Sequence, residues 1–130
     1  MSSTNSQALT AFVKELTAFV NTTPSWAIRL LKPDKTYMDL NGYSFWFTVK
    51  KDTSKSLSDD SEAVLKKTWS INVSQTTIAI QLALADTAVI ATRPTGLYIY
   101  DLKMKDTTGA INTVMLGNYI FCQSVTQRAI

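Results

Sequence analysis

Residues 97–105 read Leu-Tyr-Ile-Tyr-Asp-Leu-Lys-Met-Lys, the clearest alternation of apolar and polar side chains in the sequence. Alternate residues of a β-strand point to opposite faces of a sheet, so this stretch predicts a strand with one buried face. The buried face would carry Tyr98, Tyr100, Leu102 and Met104. Because the turn signal Asp106-Thr-Thr-Gly109 and a second run from residue 110 follow, the sequence predicts a β-hairpin.

The same two-residue period recurs on the N-terminal side of this hairpin. After an Asn41-Gly42 turn signal, apolar residues alternate with others along residues 43–49. Further short runs of strand-forming residues lie at 26–31, 63–67, 68–73, 77–84, 110–116 and 118–124. About seven short strands with turn signals between them are typical of an antiparallel β-sandwich. No helical pattern separates a pair of strands, which disfavours a parallel α/β fold.

The N-terminal region contains one five-residue block twice, because Leu-Thr-Ala-Phe-Val fills residues 9–13 and again residues 16–20. Seven residues are about two helical turns, so on a helix both blocks would share one stripe. We predict a short amphipathic helix that ends at the signal Asn21-Thr-Thr-Pro24. The predicted stripe consists of Leu9, Phe12, Val13, Leu16, Phe19 and Val20.

Such a short helix is unstable alone in water and must pack on its own domain or on another subunit. The stripe is therefore our candidate protein-contact site. Phe and Val also favour strands, so a strand over residues 8–20 stays open. We expect two parts in the chain: residues 1–24 as an arm with this helix, and residues 25–130 as the sandwich.

Residue types that support catalysis are scarce in this sequence. It contains no histidine and one cysteine, Cys122, which removes the commonest general base and structural zinc sites. The acidic cluster of residues 59–62 lacks the spacing of a calcium loop. We predict no catalytic residue, no metal, no cofactor, and a protein that is not an enzyme.

Trp46 stands between Phe45 and Phe47 in the alternating run. If those two face the core, Trp46 faces outward, and an outward tryptophan marks a contact surface. Trp46 and Tyr37 also suit stacking on sugar rings, which leaves a carbohydrate- or host-receptor-binding module as the alternative function.

Residues 38–51, Met-Asp-Leu-Asn-Gly-Tyr-Ser-Phe-Trp-Phe-Thr-Val-Lys-Lys, resemble the early strands of an immunoglobulin-like domain of tailed-bacteriophage virion proteins. The N-terminal domain of phage baseplate upper proteins is the type example. Residues 96–109 look like its final hairpin and residues 116–121 like its closing strand. The resemblance spans about residues 26–126, and it implies an immunoglobulin-like sandwich with a structural role and no catalytic or metal residues.

The function that follows from this resemblance is an expectation. It is a non-enzymatic phage virion structural protein, either a capsid decoration (cement) protein or a small tail component. Its partners would be other virion proteins, meaning capsid or tail subunits, and copies of itself in a homo-oligomer, with a trimer as one candidate. The protein would be made in the host cytoplasm and located in the virion. The mild net charge of +3 is spread along the chain, and no apolar run approaches a membrane span, so we expect neither specific nucleic acid nor membrane as partner.

Overall fold

The computed structural model describes residues 11–51, 63–88 and 96–122. This part of the chain is an all-β structure with one short helix, as the strand patterns predict. The strands are β1 (Phe12–Val13), β2 (Leu16–Phe19), β3 (Ser25–Arg29), β4 (Ser44–Lys51), β5 (Ala63–Ser70), β6 (Thr77–Gln81), β7 (Gly96–Lys105) and β8 (Ile111–Cys122). The helix is α1 (Leu84–Thr87).

These strands form two sheets. The larger sheet has the order β8-β7-β4-β5, and both β1 and β2 pair with the other side of β8. The smaller sheet consists of β3 and β6. All pairs are antiparallel except those of β1 and β2, which run parallel to β8.

The N-terminal helix that we expected over residues 8–20 is wrong for the described residues, which form the strands β1 and β2. Phe12 lies opposite Met115 and Leu16 opposite Tyr119, so both strands keep one common register along β8. The side of β8 that faces away from β7 offers backbone hydrogen-bonding groups, and a strand can pair with them whereas a helix cannot. Phe and Val, which dominate the repeated block, also fit a pleated surface well.

The core lies between the apolar inner faces of the two sheets. The four residues of β7 that we expected to be buried are at most 4% exposed, which confirms the prediction; they are Tyr98, Tyr100, Leu102 and Met104. The smaller sheet contributes Trp26, Ile28, Ile78 and Ile80. The Trp26 ring packs 6.3 Å from the ring centres of both Phe47 and Tyr119, which joins the sheets. Full burial of a valine, leucine, isoleucine, phenylalanine or methionine side chain contributes roughly 1.5–3 kcal/mol to the stability of the folded protein.

A close contact at Gly117 holds β1 and β2 against β8. A Cβ at this position would lie 2.4 Å from the carbonyl oxygen of Lys14, so only glycine admits the N-terminal strand here. The hydroxyl of Tyr100, which pairs with Gly117 across the strands, donates a 2.6 Å hydrogen bond to the same oxygen. Burial raises the pKa of Tyr100 to about 12, so the hydroxyl keeps its proton at neutral pH.

Helix α1 anchors the end of β2. The Thr87 hydroxyl donates to the carbonyl of Thr22 at 2.6 Å, and the Thr22 amide donates back to the Thr87 oxygen at 3.0 Å. Lys67 of β5 forms a 3.0 Å ion pair with Asp86 of α1. The N-terminal strand is therefore an integral part of the sandwich, fixed at Lys14 and again at Thr22.

Candidate protein-contact surface

The outer face of the larger sheet exposes several apolar side chains along the edge formed by β1, β2 and β8. Val13 lies opposite Leu116 on β8, and Leu97 of β7 lies opposite Ile120 of β8. Phe19 follows on β2 beside the end of β8. We name this area the apolar corner, and its exposed members are Val13 (78%), Phe19 (50%), Leu97 (48%) and Leu116 (38%). Val13 and Leu116 are direct neighbours, whereas Phe19 and Leu97 lie further along β8, beyond the exposed Asn118. Several exposed apolar side chains on one face make this a candidate interaction surface.

The six residues of the predicted stripe do not form one surface. Leu16 and Val20 are each 1% exposed and belong to the core. Val13 and Phe19 lie in the apolar corner, whereas Leu9 lies outside the described residues. The stripe depended on a helical period, and the strand redistributes its members between the two faces of the sheet.

Phe12 occupies a third environment, an open groove of about 420 Å³ between β1–β2 and β3. Its side chain is 40% exposed and shares the groove with Leu16 and Met115 of the larger sheet. Trp26 and Ile28 of β3 line the opposite wall. Phe12 is thus on the inner side of the sheet and is separate from the apolar corner.

Trp46 lies on the outer face of β4, as its position between the fully buried Phe45 and Phe47 predicts. Tyr37 is on the other side of the molecule, where its ring lies 5.0 Å from the guanidinium of Arg29 on the outer face of the smaller sheet. One short sugar cannot stack on both rings. This arrangement removes the shared platform that a carbohydrate-binding role would use.

Three lysines lie near Trp46 on this face. Lys103 is the direct neighbour of Trp46 on β7, Lys105 follows two residues later, and Lys66 lies on β5. All three are exposed. The sequence pattern could have identified Lys103 and Lys105 as residues of this surface. They alternate with the buried apolar residues of β7, which places them on the outer face, and Trp46 lies on the outer face of the neighbouring strand β4.

Leu97 and Leu116 were also missed as candidate contact residues. Leu97 alternates with the buried residues of β7, so the sequence pattern could have placed its side chain on the outer face of the sheet. Leu116 had no comparable signal, because a bulge between Leu102 and Lys103 changes the register of β8 against β7. The sequence pattern does not place that bulge.

The acidic groups near turns have structural explanations. Hydrogen bonds from the Thr36 side chain lower the pKa of Asp34, and those from the Thr108 side chain lower the pKa of Asp106. The Asn41 amide and the Ser74 hydroxyl lower the pKa of Asp39. A general acid at neutral pH needs the opposite shift. Within residues 11–51, 63–88 and 96–122, no group of three His, Cys, Asp or Glu side chains could hold a metal ion.

No helix in the described part of the chain is both long enough and apolar enough to cross a membrane. Comparison with models of known protein families and with curated proteins found no match to this sequence.

Proposed function

We propose that this chain is a non-enzymatic structural protein of a phage virion, a capsid decoration protein or a small tail component that acts through protein–protein contacts. The apolar corner is the observation that carries this proposal. Val13 is 78% exposed and lies directly beside Leu116 of β8, which is 38% exposed. Burial of this corner against another virion protein would add the apolar area on which stable interfaces depend.

The strand order supports an immunoglobulin-like sandwich as the scaffold of this protein. In a variable-type immunoglobulin domain, one sheet carries the strands G, F, C and C′, and the facing sheet includes B and E. The order β8-β7-β4-β5 opposite β3-β6 corresponds to that arrangement. The same arrangement agrees with the resemblance of residues 38–51 and 96–109 to a phage virion domain.

The free edge beside the apolar corner favours assembly into multimers. Among the described strands, β1 and β2 pair only with β8, which leaves their other side without a strand partner. An edge strand of this kind can align with a neighbouring subunit. We propose that virion proteins, including further copies of this chain in a homo-oligomer, cover the corner and this edge.

The test uses particles purified from cultures of the source that encodes the sequence. Wild-type protein, Val13→Asp and Leu116→Asp are mixed with the particles and sedimented. We expect saturable binding of the wild type and at least tenfold weaker binding of both variants, because a charge in an apolar contact is costly.

Val73→Asp serves as the matched control. Val73 is 61% exposed but lies in the connection between β5 and β6, away from the corner. Its substitution should leave particle binding unchanged. Equal binding by all four proteins, or no binding by the wild type, would contradict the proposal.

A further inference from the structure

We propose that the Trp46 side of the larger sheet is a second contact site, which binds an acidic protein surface. We define the basic face as the outer-face residues of β5, β4 and β7 around Trp46. This inference rests on the proposed function, because it names the chemistry of one partner in a protein-contact role.

Strand pairing brings the charges of the basic face around the indole. Trp46 has Thr68 on one side and Lys103 on the other. Lys105 is two residues further along β7, about 7 Å from Lys103 by the rise of a strand. Lys66 is two strands away from Lys103, at about 12 Å between Cα atoms given the usual strand spacing. The three lysines therefore share one sheet face with a single aromatic residue, Trp46.

Among the described residues of this face, lysines outnumber acidic side chains. Lys66, Lys103 and Lys105 are exposed, and no ion pair within the described residues engages them. The other charged residues of the face, Lys50 and Asp101, already have interactions of their own. The Debye length is about 8 Å at physiological salt, so Lys103 and Lys105, about 7 Å apart, act together on a partner of negative charge, whereas Lys66 adds to their field mainly at low salt.

The surroundings of Trp46 favour a protein as the negative partner. Trp46 is half-buried among hydroxyl side chains, and Ser44 and Ser70 lie in hydrogen-bonding contact at 3.0 Å beside it. A central tryptophan within a polar rim is typical of a binding hot spot. Phosphate recognition instead favours the bidentate guanidinium of arginine, and the cations of this face are all lysines.

The residue composition of the face thus suits carboxylates placed around an apolar pocket for Trp46. Lysine is a compact point charge that needs no fixed fork geometry to pair with a carboxylate. Of the three tryptophans, Trp26 and Trp69 pack against the core, so Trp46 is the one positioned to report on a ligand at this face.

The experiment titrates full-length protein with poly-L-glutamate and follows tryptophan emission at low and at physiological salt. The double variant Lys103→Glu/Lys105→Glu is compared with Lys32→Glu/Lys35→Glu. Both variants change the net charge equally, but Lys32 and Lys35 lie in the exposed turn after β3. We expect salt-dependent binding that weakens at least tenfold in the first variant and less than twofold in the second.

Three results would overturn the inference. Equal weakening by both double variants would mean that poly-L-glutamate senses only net charge. Tighter binding of double-stranded DNA or heparin than of poly-L-glutamate, with loss in Lys103→Glu/Lys105→Glu, would assign the face to another polyanion. Absence of any binding would remove the site. None of these results depends on particle binding by the apolar corner, so the proposed function is tested separately.

Discussion

The two copies of Leu-Thr-Ala-Phe-Val have identical sequences, but their described valines lie in opposite environments. In the second copy, Leu16 and Val20 are 1% exposed, and Ala18 is fully buried. In the first copy, Val13 is 78% exposed. Val13 and Val20 hold the same place in the block, so their local sequence cannot explain the difference.

The seven-residue spacing between the copies explains it. Seven residues are about two turns of a helix and return a side chain to the same face, whereas along a strand an odd spacing reverses the face. The second copy directs its Leu, Ala and Val into the core, and the common register then directs Val13 of the first copy outward. One repeated block thus contributes both to the core and to the apolar corner.

The largest difference between the two copies is expected when the same charge is placed at Val13 and at Val20. Val20→Asp buries a carboxylate among apolar side chains and should destabilise the protein by more than about 4 kcal/mol. Val13→Asp should change the free energy of unfolding by less than about 0.5 kcal/mol, since exposed substitutions cost little. Urea denaturation followed by circular dichroism measures both. Similar losses in the two variants would mean that the first copy also packs in the core.

The junction between the two copies offers a second test. In Gly117→Ala, the added Cβ would overlap the Lys14 carbonyl oxygen, which is backbone and cannot rotate away. We expect destabilisation by about 2–3 kcal/mol, as for other overpacked sites. Gly109→Ala is a useful comparison, because its Cβ would meet open space although its φ is also positive. A stability loss at Gly117 no larger than at Gly109 would contradict the close contact.

We expect a smaller loss of stability when the hydrogen bond from the Tyr100 hydroxyl to the Lys14 carbonyl is removed. Tyr100→Phe leaves the Lys14 carbonyl without its donor and should cost about 1–3 kcal/mol at neutral pH. The folded pKa of about 12 exceeds the unfolded value of about 10. The contribution of this group is therefore complete below about pH 10 and lost as pH rises from about 10 to about 12.

Denaturation curves of the wild type and Tyr100→Phe at several pH values test this account. The difference in stability between the two proteins should be constant from pH 6 to 9 and should shrink at higher pH. A difference that stays constant up to pH 12 would contradict the raised pKa of Tyr100 in the folded protein.

Much of the sandwich was predictable because its strands alternate regularly. Tyr98 and Tyr100 faced the core and Trp46 faced outward, as period two requires. The structure of the N-terminal segment was not predictable from its sequence. The seven-residue spacing of its two repeated blocks favours a helix, whereas its Phe and Val residues favour a strand. The choice depended on the free edge of β8, a non-local feature that pairs residues about a hundred positions apart.

The candidate surface was predictable only in part for the same reason. Val13 and Phe19 could be named from the sequence, but the helical stripe grouped them with Leu16 and Val20, which are core residues. The other exposed residues of the apolar corner, Leu97 and Leu116, come from strands distant in sequence. A surface assembled from several strands becomes visible only when strand order and register are known.

We propose that the chain is a structural component of a virion. The most direct measurement is quantitative mass spectrometry of particles purified by density gradient from cultures of the encoding source. The account predicts that the chain is retained in the particles at a stoichiometry comparable with a capsid or tail subunit. Abundant protein in the lysate with none retained in the purified particles would contradict it.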